Sequence, residues 1–179
     1  MSKFFQKKYS EKGFSLLEML VVLFVISLLT VMILANYQDN RKKYTLLQSS
    51  QKLVSDLRKV QNMAISGTEI TDLCSVSSIC FGYGIYFNSN SSYILFADKN
   101  NDQLYSVGEE FETVNLPSLI AIQSISPSPA SVFFKPPEPI TYVNQSSATG
   151  SSAEIILQIQ GTATTKTVTI NTAGLIDSN

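Results

Sequence analysis

The feature that most constrains this chain is an apolar stretch near its N-terminus, Phe14 to Ala35, in which Glu18 is the only ionisable residue. About 20 apolar residues cross a bilayer as a helix, so the stretch predicts a transmembrane helix. A carboxylate costs about 2.5–3.5 kcal/mol at the centre of a membrane and less towards the interface. Because an ionisable residue in a membrane helix is unfavourable, its presence predicts a function for Glu18.

A basic leader, residues 1–13, precedes the apolar stretch. Its four lysines stand against one glutamate, which gives a net charge of +3. The leader is therefore favoured on the cytoplasmic side of the membrane. The charge rule alone does not fix the orientation, because Arg41, Lys42 and Lys43 follow the other end of the stretch.

Two ordinary alternatives explain less of this pattern. A secretory signal has an apolar core of about 7–15 residues and a cleavage site of small residues. This core is longer, and Ile33-Leu34-Ala35 lacks a small residue at its first position. A plain membrane anchor explains the length but neither Glu18 nor the glycine at the boundary.

Gly13-Phe14-Ser15-Leu16-Leu17-Glu18, followed by the apolar run, resembles the cleavage and methylation signal of type IV pilins and their pseudopilin relatives. Unlike many pilins, the chain has no proline before Pro117. The resemblance implies that a prepilin peptidase cuts after Gly13 and methylates Phe14. It also implies that Glu18 pairs with the Phe14 amine of a neighbouring subunit, because a low dielectric strengthens the pair. In the alternative, Glu18 reaches the interface, which lies within about one turn.

The residues after the apolar stretch predict a continuation of the same helix. Residues 36–66 contain no Gly or Pro, and their apolar side chains recur at helical spacing. The apolar positions are Leu46, Leu53, Leu57, Val60 and Ala64, with Leu47 and Val54 beside them. Gly67 is a candidate C-cap. We predict one nearly continuous helix from Phe14 to about Ser66, with residues 14–35 in lipid and residues 36–66 packed by one face on a head domain.

The head, residues 67–179, has the pattern of β structure. The predicted strands are Phe81–Phe87, Ser92–Ala97, Glu109–Leu116, Leu119–Ile125, Ser131–Phe134, Ala153–Ile159 and Thr165–Ile170, with a terminal extension at Gly174–Ile176. The two strands on either side of Gly161 predict the clearest hairpin. The predicted class is therefore α+β, a long N-terminal helix, transmembrane in its first half, packed on an antiparallel β-sheet head as in pilins.

Two segments of the head resemble a subgroup of this family. Val132-Phe-Phe-Lys-Pro-Pro137 and Val168-Thr-Ile-Asn-Thr-Ala-Gly-Leu-Ile176 are similar to segments of the H-type pseudopilins of type II secretion and the related T-type minor pilins.

The cysteines of the chain are Cys74 and Cys80. They follow the membrane stretch, so the predicted compartment is oxidising and favours a disulfide. A zinc site would need more ligands than two cysteines supply. Free thiols remain the alternative in an organism that does not oxidise exported proteins.

Oxygen-bearing side chains recur from Asp98 to Glu109 in the order of an EF-hand-like calcium loop. They occupy positions one, three, five, nine and twelve and are Asp98, Asn100, Asp102, Ser106 and Glu109. The pattern departs at Gln103, where the sharp turn usually requires Gly. The alternative is a polar turn, because Asp and Asn side chains bond their own backbone.

Composition excludes several functions. The head carries three lysines against ten carboxylates, a net charge of −7, and the chain has no His. Nucleic-acid binding needs a basic surface, and His is the commonest general base in enzymes. No pairing of a nucleophile with a base is visible either. The sequence therefore predicts a non-enzymatic protein that requires no cofactor, with calcium as a candidate ligand.

The predicted function is that of a structural subunit, a minor pilin or pseudopilin of a type IV pilus or type II secretion-type filament. The resemblance implies a prepilin peptidase, an assembly platform with its motor ATPase, and other pilins as partners. It implies a single pass through the bacterial inner membrane with the head outside the cytoplasm, and later a place in a filament or at the cell surface. The alternatives are a competence-type minor pilin that binds DNA and a membrane-anchored protein that never polymerises.

Overall fold

The computed structural model describes residues 13–67, 73–74, 80–128, 131–137, 140–148 and 150–179. The predicted leader, apart from Gly13, lies outside the described residues. The chain divides into two compact units, Met1–Asn40 and Arg41–Asn179. The boundary between the units falls within a single helix, α1 (Leu16–Ser66).

Helix α1 confirms the prediction of one continuous helix, although it begins at Leu16 rather than at Phe14. The carbonyl of Ser15 accepts the first backbone hydrogen bonds, from the N–H groups of Glu18 and Met19 at 3.1 and 3.2 Å. Gly67 follows the last turn with a φ of +58°. A glycine adopts this left-handed conformation without strain, so Gly67 ends the helix as the sequence predicts.

The described part of Arg41–Asn179 contains nine strands in two antiparallel sheets. Sheet A has the strand order β3-β2-β1-β5-β6, and sheet B has the order β4-β7-β8-β9. The strands are β1 (Gly82–Ser89), β2 (Ser92–Asp98), β3 (Glu110–Asn115), β4 (Ile120–Ser126), β5 (Ser131–Lys135), β6 (Ile140–Val143), β7 (Ser152–Ile159), β8 (Thr165–Asn171) and β9 (Ile176–Ser178).

All seven predicted strands are present, with bounds that differ from the prediction by at most two residues. Strands β7 and β8 pair from Ser152↔Asn171 to Gln158↔Thr165, which confirms the predicted hairpin. The sequence did not predict β6, because prolines precede it; an edge strand tolerates a proline before its first residue. The terminal extension was predicted too early, since Gly174 lies in a turn with a φ of +78° and β9 begins at Ile176.

One hydrophobic core joins α1 to the inner faces of both sheets. The side chains of the predicted apolar face of α1 are all at most 2 % exposed. They are Leu46, Leu53, Leu57, Val60 and Ala64. Tyr83, Ile85 and Leu95 from sheet A and Ile155 and Leu157 from sheet B belong to the same core. The α+β class is therefore confirmed, with two antiparallel sheets in the head.

The opposite face of sheet A carries a second, aromatic layer. Phe96 and Phe133 are fully buried there and stack with ring centroids 6.3 Å apart. Both residues pair with Gly84 of β1, one from each side. Added to Gly84, a Cβ would lie 2.5 Å from the Phe96 ring and 2.8 Å from the Val132 carbonyl oxygen. Gly84 is therefore required by the close approach of a ring.

Candidate functional site

The N-terminal unit presents an unusually apolar surface. Large apolar side chains from Phe14 to Leu34 are exposed, and the most apolar window of α1 has no buried residue in this structure. This part of α1 is long and apolar enough to cross a membrane. Apolar surface of this extent on a helix requires lipid or other apolar helices as its environment.

Two hydroxyl groups within the apolar stretch are satisfied by the helix itself. The Ser27 hydroxyl donates to the Phe24 carbonyl at 2.7 Å, and the Thr30 hydroxyl donates to the Ile26 carbonyl at 2.8 Å. In lipid, every polar group has to find its partner within the protein. These two side chains therefore do not oppose membrane insertion.

Gly13, the predicted cleavage position, has no structural reason to be glycine among the described residues. No atom of theirs lies within 4 Å of a Cβ added there. Phe14, the residue predicted to be methylated, is 77 % exposed. The junction is therefore open on the side that the structure describes.

Glu18 lies in the first turn of α1 and its side chain is exposed. A negative charge in the first turn is favoured by the helix dipole, by about 0.3–1 kcal/mol. Its three-residue spacing from Ser15, which precedes the helix, is that of a capping box. A local role at the helix start thus accompanies the pairing role that the sequence predicts, which stays a prediction.

Cys74 and Cys80 form a disulfide, with their Cα atoms 5.5 Å apart. Cys74 is buried and belongs to the hydrophobic core, and Cys80 packs against that core. Cys80 lies just before β1, so the bond fixes the start of sheet A. The sequence prediction that these two cysteines pair agrees with the structure.

The predicted calcium loop is closed by its own backbone. Asp98 is fully buried, and its carboxylate accepts N–H groups of Asn100, Asn101 and Gln103 at 3.1, 2.6 and 3.0 Å. Gln103, where the sequence departs from the calcium pattern, has a φ of +65°. The chain therefore makes the turn that usually requires Gly at this position.

The other end of the loop is held in the same way. Glu109 is buried, and its carboxylate accepts the N–H groups of Lys99 and Ser106 at 2.9 and 2.8 Å. The Asn100 amide donates to Asp102 at 2.8 Å. Among the described residues no group of three or more His, Cys, Asp or Glu side chains is arranged to hold a metal. Calcium binding stays a prediction.

The sequence analysis missed a buried acid on α1. Asp56 is 2 % exposed, accepts the Tyr93 hydroxyl at 2.7 Å and forms an ion pair with Lys52 at 2.6 Å. Burial, and then the bond to Asp56, raise the pKa of Tyr93. The signal was present in the spacing, because Asp56 falls three residues after Leu53 and four before Val60, on the apolar face.

Two further polar links join α1 to the sheets. Lys59 forms an ion pair with Glu112 of β3 at 2.6 Å. The Gln61 amide donates to the Gly174 carbonyl, before β9, at 3.0 Å. Together with the Asp56–Tyr93 bond, these contacts fix both the rotation and the axial position of α1 on the head.

Comparison with known families agrees with these features. Residues 8–34 match the model of the prokaryotic N-terminal methylation motif. Residues 49–174 match the model of type II transport protein GspH, and this range spans about the last third of α1 and nearly all of both sheets. No match to the chain was found among curated proteins or among solved structures. This chain is therefore a pilin-like subunit and belongs to the type II transport protein GspH family.

Proposed function

We propose that a prepilin peptidase cleaves this pilin-like chain after Gly13, methylates Phe14 and so releases it for assembly, through α1, into a type II secretion filament. Membership of the GspH family supports a structural, non-enzymatic role. The methylation motif over residues 8–34 supports the processing step.

The observation that carries the proposal is the junction of Gly13 with the exposed apolar stretch. Crowding among the described residues does not require a glycine at this position. Recognition by a peptidase accounts for it, because a small residue gives an enzyme access to the peptide bond. The apolar surface that follows is suited to lipid before assembly and to neighbouring helices afterwards.

Glu18 supplies the charge that assembly requires. Cleavage creates a cation at the Phe14 amine, in the same layer of the membrane as Glu18. An ion pair between the Glu18 carboxylate of one subunit and the Phe14 amine of the next would cancel both charges inside an apolar bundle. This pair sets the axial register of a subunit as it leaves the bilayer.

The partners of the chain follow from this role. They are the prepilin peptidase, the inner-membrane assembly platform with its motor ATPase, and other pilins or pseudopilins. Before assembly the chain crosses the bacterial inner membrane once, with its head outside the cytoplasm. The Cys74–Cys80 disulfide supports that side, because disulfides persist in oxidising compartments.

Intact-mass analysis of the chain extracted from membranes tests the processing step. In a strain with an active prepilin peptidase, we expect a mass that lacks residues 1–13 and carries one added methyl group on Phe14. Replacing Gly13 by Leu should block cleavage and leave membrane insertion unchanged, because the apolar stretch is intact. Full-length, unmethylated protein in the peptidase-positive strain would refute the proposal.

The two alternative functions have weaker support. A DNA-binding minor pilin would need a basic head, whereas residues 67–179 carry a net charge of −7. A membrane anchor that never polymerises would account for the apolar stretch but not for Gly13 and Glu18. The GspH match over residues 49–174 favours a secretion filament over both.

A further inference from the structure

We infer that two copies of this chain dock head to tail, with the β2–β3 loop of one copy entering a groove beside α1 of the next. The inference rests on the proposed function and deepens it, because it names a contact between heads in addition to the helical bundle. It is argued from charge and shape on the surface of Arg41–Asn179.

The receiving surface is a groove of about 550 Å³ between α1 and the end of sheet B, called here the α1 groove. It is lined by Gln51, Val54, Ser55, Arg58 and Lys59 of α1 and by Ser178 of β9. Arg58 is exposed and forms no ion pair within the described part of the chain. Lys59 remains 47 % exposed although it pairs with Glu112. The groove therefore offers two cations around a partly apolar floor at Val54.

Charge is divided unevenly between α1 and the rest of the head. Residues 41–66 carry six basic side chains and one acid, the buried Asp56, for a net charge of +5. Residues 67–179 carry −7. Two surfaces of opposite sign on one chain attract each other between copies, which steers their association and selects against contacts of like charge.

The inserting element is the β2–β3 loop, residues 99–109, together with Glu110. Val107 at its tip is 92 % exposed, and Leu104 is 37 % exposed. Glu110 is exposed beside them, and residues 98–110 together have a net charge of −3. An apolar tip flanked by carboxylates matches a groove that has an apolar floor flanked by cations.

The loop is held in one conformation, so little ordering is needed when it docks. The Glu110 carboxylate accepts the Gly108 N–H at 2.7 Å and the Tyr105 hydroxyl at 3.1 Å. These hydrogen bonds, the backbone ones first, lower the pKa of Glu110, so it is charged at neutral pH. The Tyr105 ring stacks on Tyr86 at 5.1 Å, and the Gln145 amide donates to the Asp102 carbonyl at 2.9 Å.

The two surfaces are different patches of the same chain, so the contact is heterologous. A heterologous contact that does not close into a ring repeats as an open helical array. In the docked pair, Val107 lies against Val54, and Glu110 of one copy faces Arg58 of the next. Every added subunit would present a fresh groove or a fresh loop.

Cysteine cross-linking in membranes from cells with the complete secretion machinery tests this contact. The full-length chain carries Ser55→Cys, in the groove, and Val107→Cys, at the loop tip. Mild oxidation should give covalent dimers and higher species that contain only this chain, read on non-reducing gels and by mass spectrometry. Each single-cysteine variant should stay monomeric, because a head-to-tail contact brings position 55 to position 107 and never to itself.

Charge reversal provides the energetic test in the same double-cysteine background. Arg58→Glu should lower the cross-linked fraction about fivefold or more, as expected for a close charge pair. Arg58→Lys keeps the charge and should leave the fraction within about twofold of the parent. Lys43→Glu and Glu154→Lys reverse exposed charges away from the groove and the loop; they should lower the fraction less than Arg58→Glu, because they weaken only the long-range attraction.

Three results would overturn the inference: cross-linking of a single-cysteine variant to itself, an unchanged cross-linked fraction in Arg58→Glu, or capture of another protein in place of a second copy. The intact mass of the same extract separates this inference from the proposed function. Processed chain without the 55–107 link refutes the docking and leaves the processing standing. Unprocessed chain that forms the link contradicts the processing alone, and unprocessed chain without it contradicts both.

Discussion

At the residue scale, Asp56 is a buried acid on α1 that needs hydrogen-bond donors. Taking a carboxylate out of water costs several kcal/mol, and this cost is offset only when its oxygens find donors. Lys52 and Tyr93 supply them, one from the same helix and one from β2. Because the Tyr93 hydroxyl has to reach Asp56, the contact specifies how α1 lies on sheet A.

Replacing Tyr93 by Phe should lower the free energy of unfolding by about 1.5–3 kcal/mol, as expected for a lost hydrogen bond to a charged group. The ring remains in the core, so the loss reports the hydroxyl alone. Thermal unfolding of the full chain in detergent, followed by near-ultraviolet circular dichroism, measures it. Tyr142→Phe is the matched control, since that ring also packs on an aromatic neighbour. Equal melting temperatures for Tyr93→Phe and the parent would contradict the role of the bond.

The difference in stability between the parent and Tyr93→Phe should also depend on pH. The pKa of Tyr93 is raised above the unfolded value of about 10, first by burial and then by the bond to Asp56. Its contribution to stability is therefore fully present below about pH 10 and is lost as the pH rises further. The bond to Asp56 also raises the pKa of Lys52, which acts in the same direction. Above pH 10 the parent should lose more stability than Tyr93→Phe.

Gly84→Ala should destabilise the head by about 1–3 kcal/mol through overpacking. The added methyl group would meet the Phe96 ring and the Val132 carbonyl on both sides of β1. The same change in a Phe96→Leu background should cost less, because part of the obstruction is gone. Melting curves of the parent, the two single variants and the double variant complete this double-mutant cycle. An equal loss of stability from Gly84→Ala in both backgrounds would show that the Phe96 ring is not the obstacle.

The sequence indicates which residues are apolar enough for the core, but not which polar residues join them. All five positions of the predicted α1 face are buried. Asp56 lies on that face, and its spacing was legible, yet its partner Tyr93 is 37 residues away in sequence. A pairing at that distance depends on how α1 is placed on sheet A, which helical periodicity does not encode.

At the element scale, the β2–β3 loop is ordered by two buried carboxylates that cap backbone N–H groups. Asp98 and Glu109 stand at the two ends of the loop and accept five such bonds between them. The sequence predicted these acids as calcium ligands; in the structure both accept backbone N–H groups. Binding of a calcium ion to the same loop can be tested separately.

Millimolar calcium is predicted to raise the melting temperature of the chain, because a ligand that binds only the folded state stabilises it by mass action. The expected dissociation constant is about 10⁻⁴–10⁻³ M, as in extracellular modules. Asp98→Ala combined with Asp102→Ala should abolish the shift. Gln103→Gly should enlarge it, because glycine adopts the positive φ of this position without strain.

Each variant is compared with its own metal-free melting curve, since Asp98→Ala also removes an acceptor from three N–H groups. Magnesium at the same concentration is the control for ionic strength. An unchanged melting curve of the parent in calcium would mean that residues 98–109 form a polar turn closed by backbone bonds alone.

The elements that the sequence predicted best are those with a strong local period. Helix α1 and the β7–β8 hairpin have such patterns, and both were found. Strand β6 has four residues after a proline-rich segment, so its local signal is weak and its pairing with β5 decides it. The division of the strands into two sheets was not predicted, because strand alternation indicates which face is buried but not which strands are neighbours.

At the scale of the whole molecule, the chain combines an apolar helical surface with an acidic head. The first suits a lipid environment, and the second suits water and resists non-specific contacts with nucleic acid. Glu18 is the exception on the apolar side. Replacing Glu18 therefore tests membrane insertion and filament assembly separately.

Glu18→Leu should insert into the membrane as well as the parent, because it removes a charge that costs up to about 2.5–3.5 kcal/mol in lipid. Its incorporation into filaments should fall, because the Phe14 amine of the neighbour loses its partner. Pull-down of sheared filaments, normalised to the membrane pool, measures both quantities. Ser27→Ala, which removes another polar group from the same stretch, should leave incorporation unchanged. Normal incorporation of Glu18→Leu would refute the pairing; a subunit at the filament tip should tolerate the change better than one within it.

The polar links between α1 and the sheets also have a mechanical meaning. Asp56–Tyr93, Lys59–Glu112 and Gln61–Gly174 join the last turns of α1 to three different strands or turns. A pulling force applied along α1 loads these links together, in shear, and does not open them one after another. In the proposed assembly, a pull on residues 41–66 of α1 is therefore borne by all three links at the same time, which protects the sheets from unfolding.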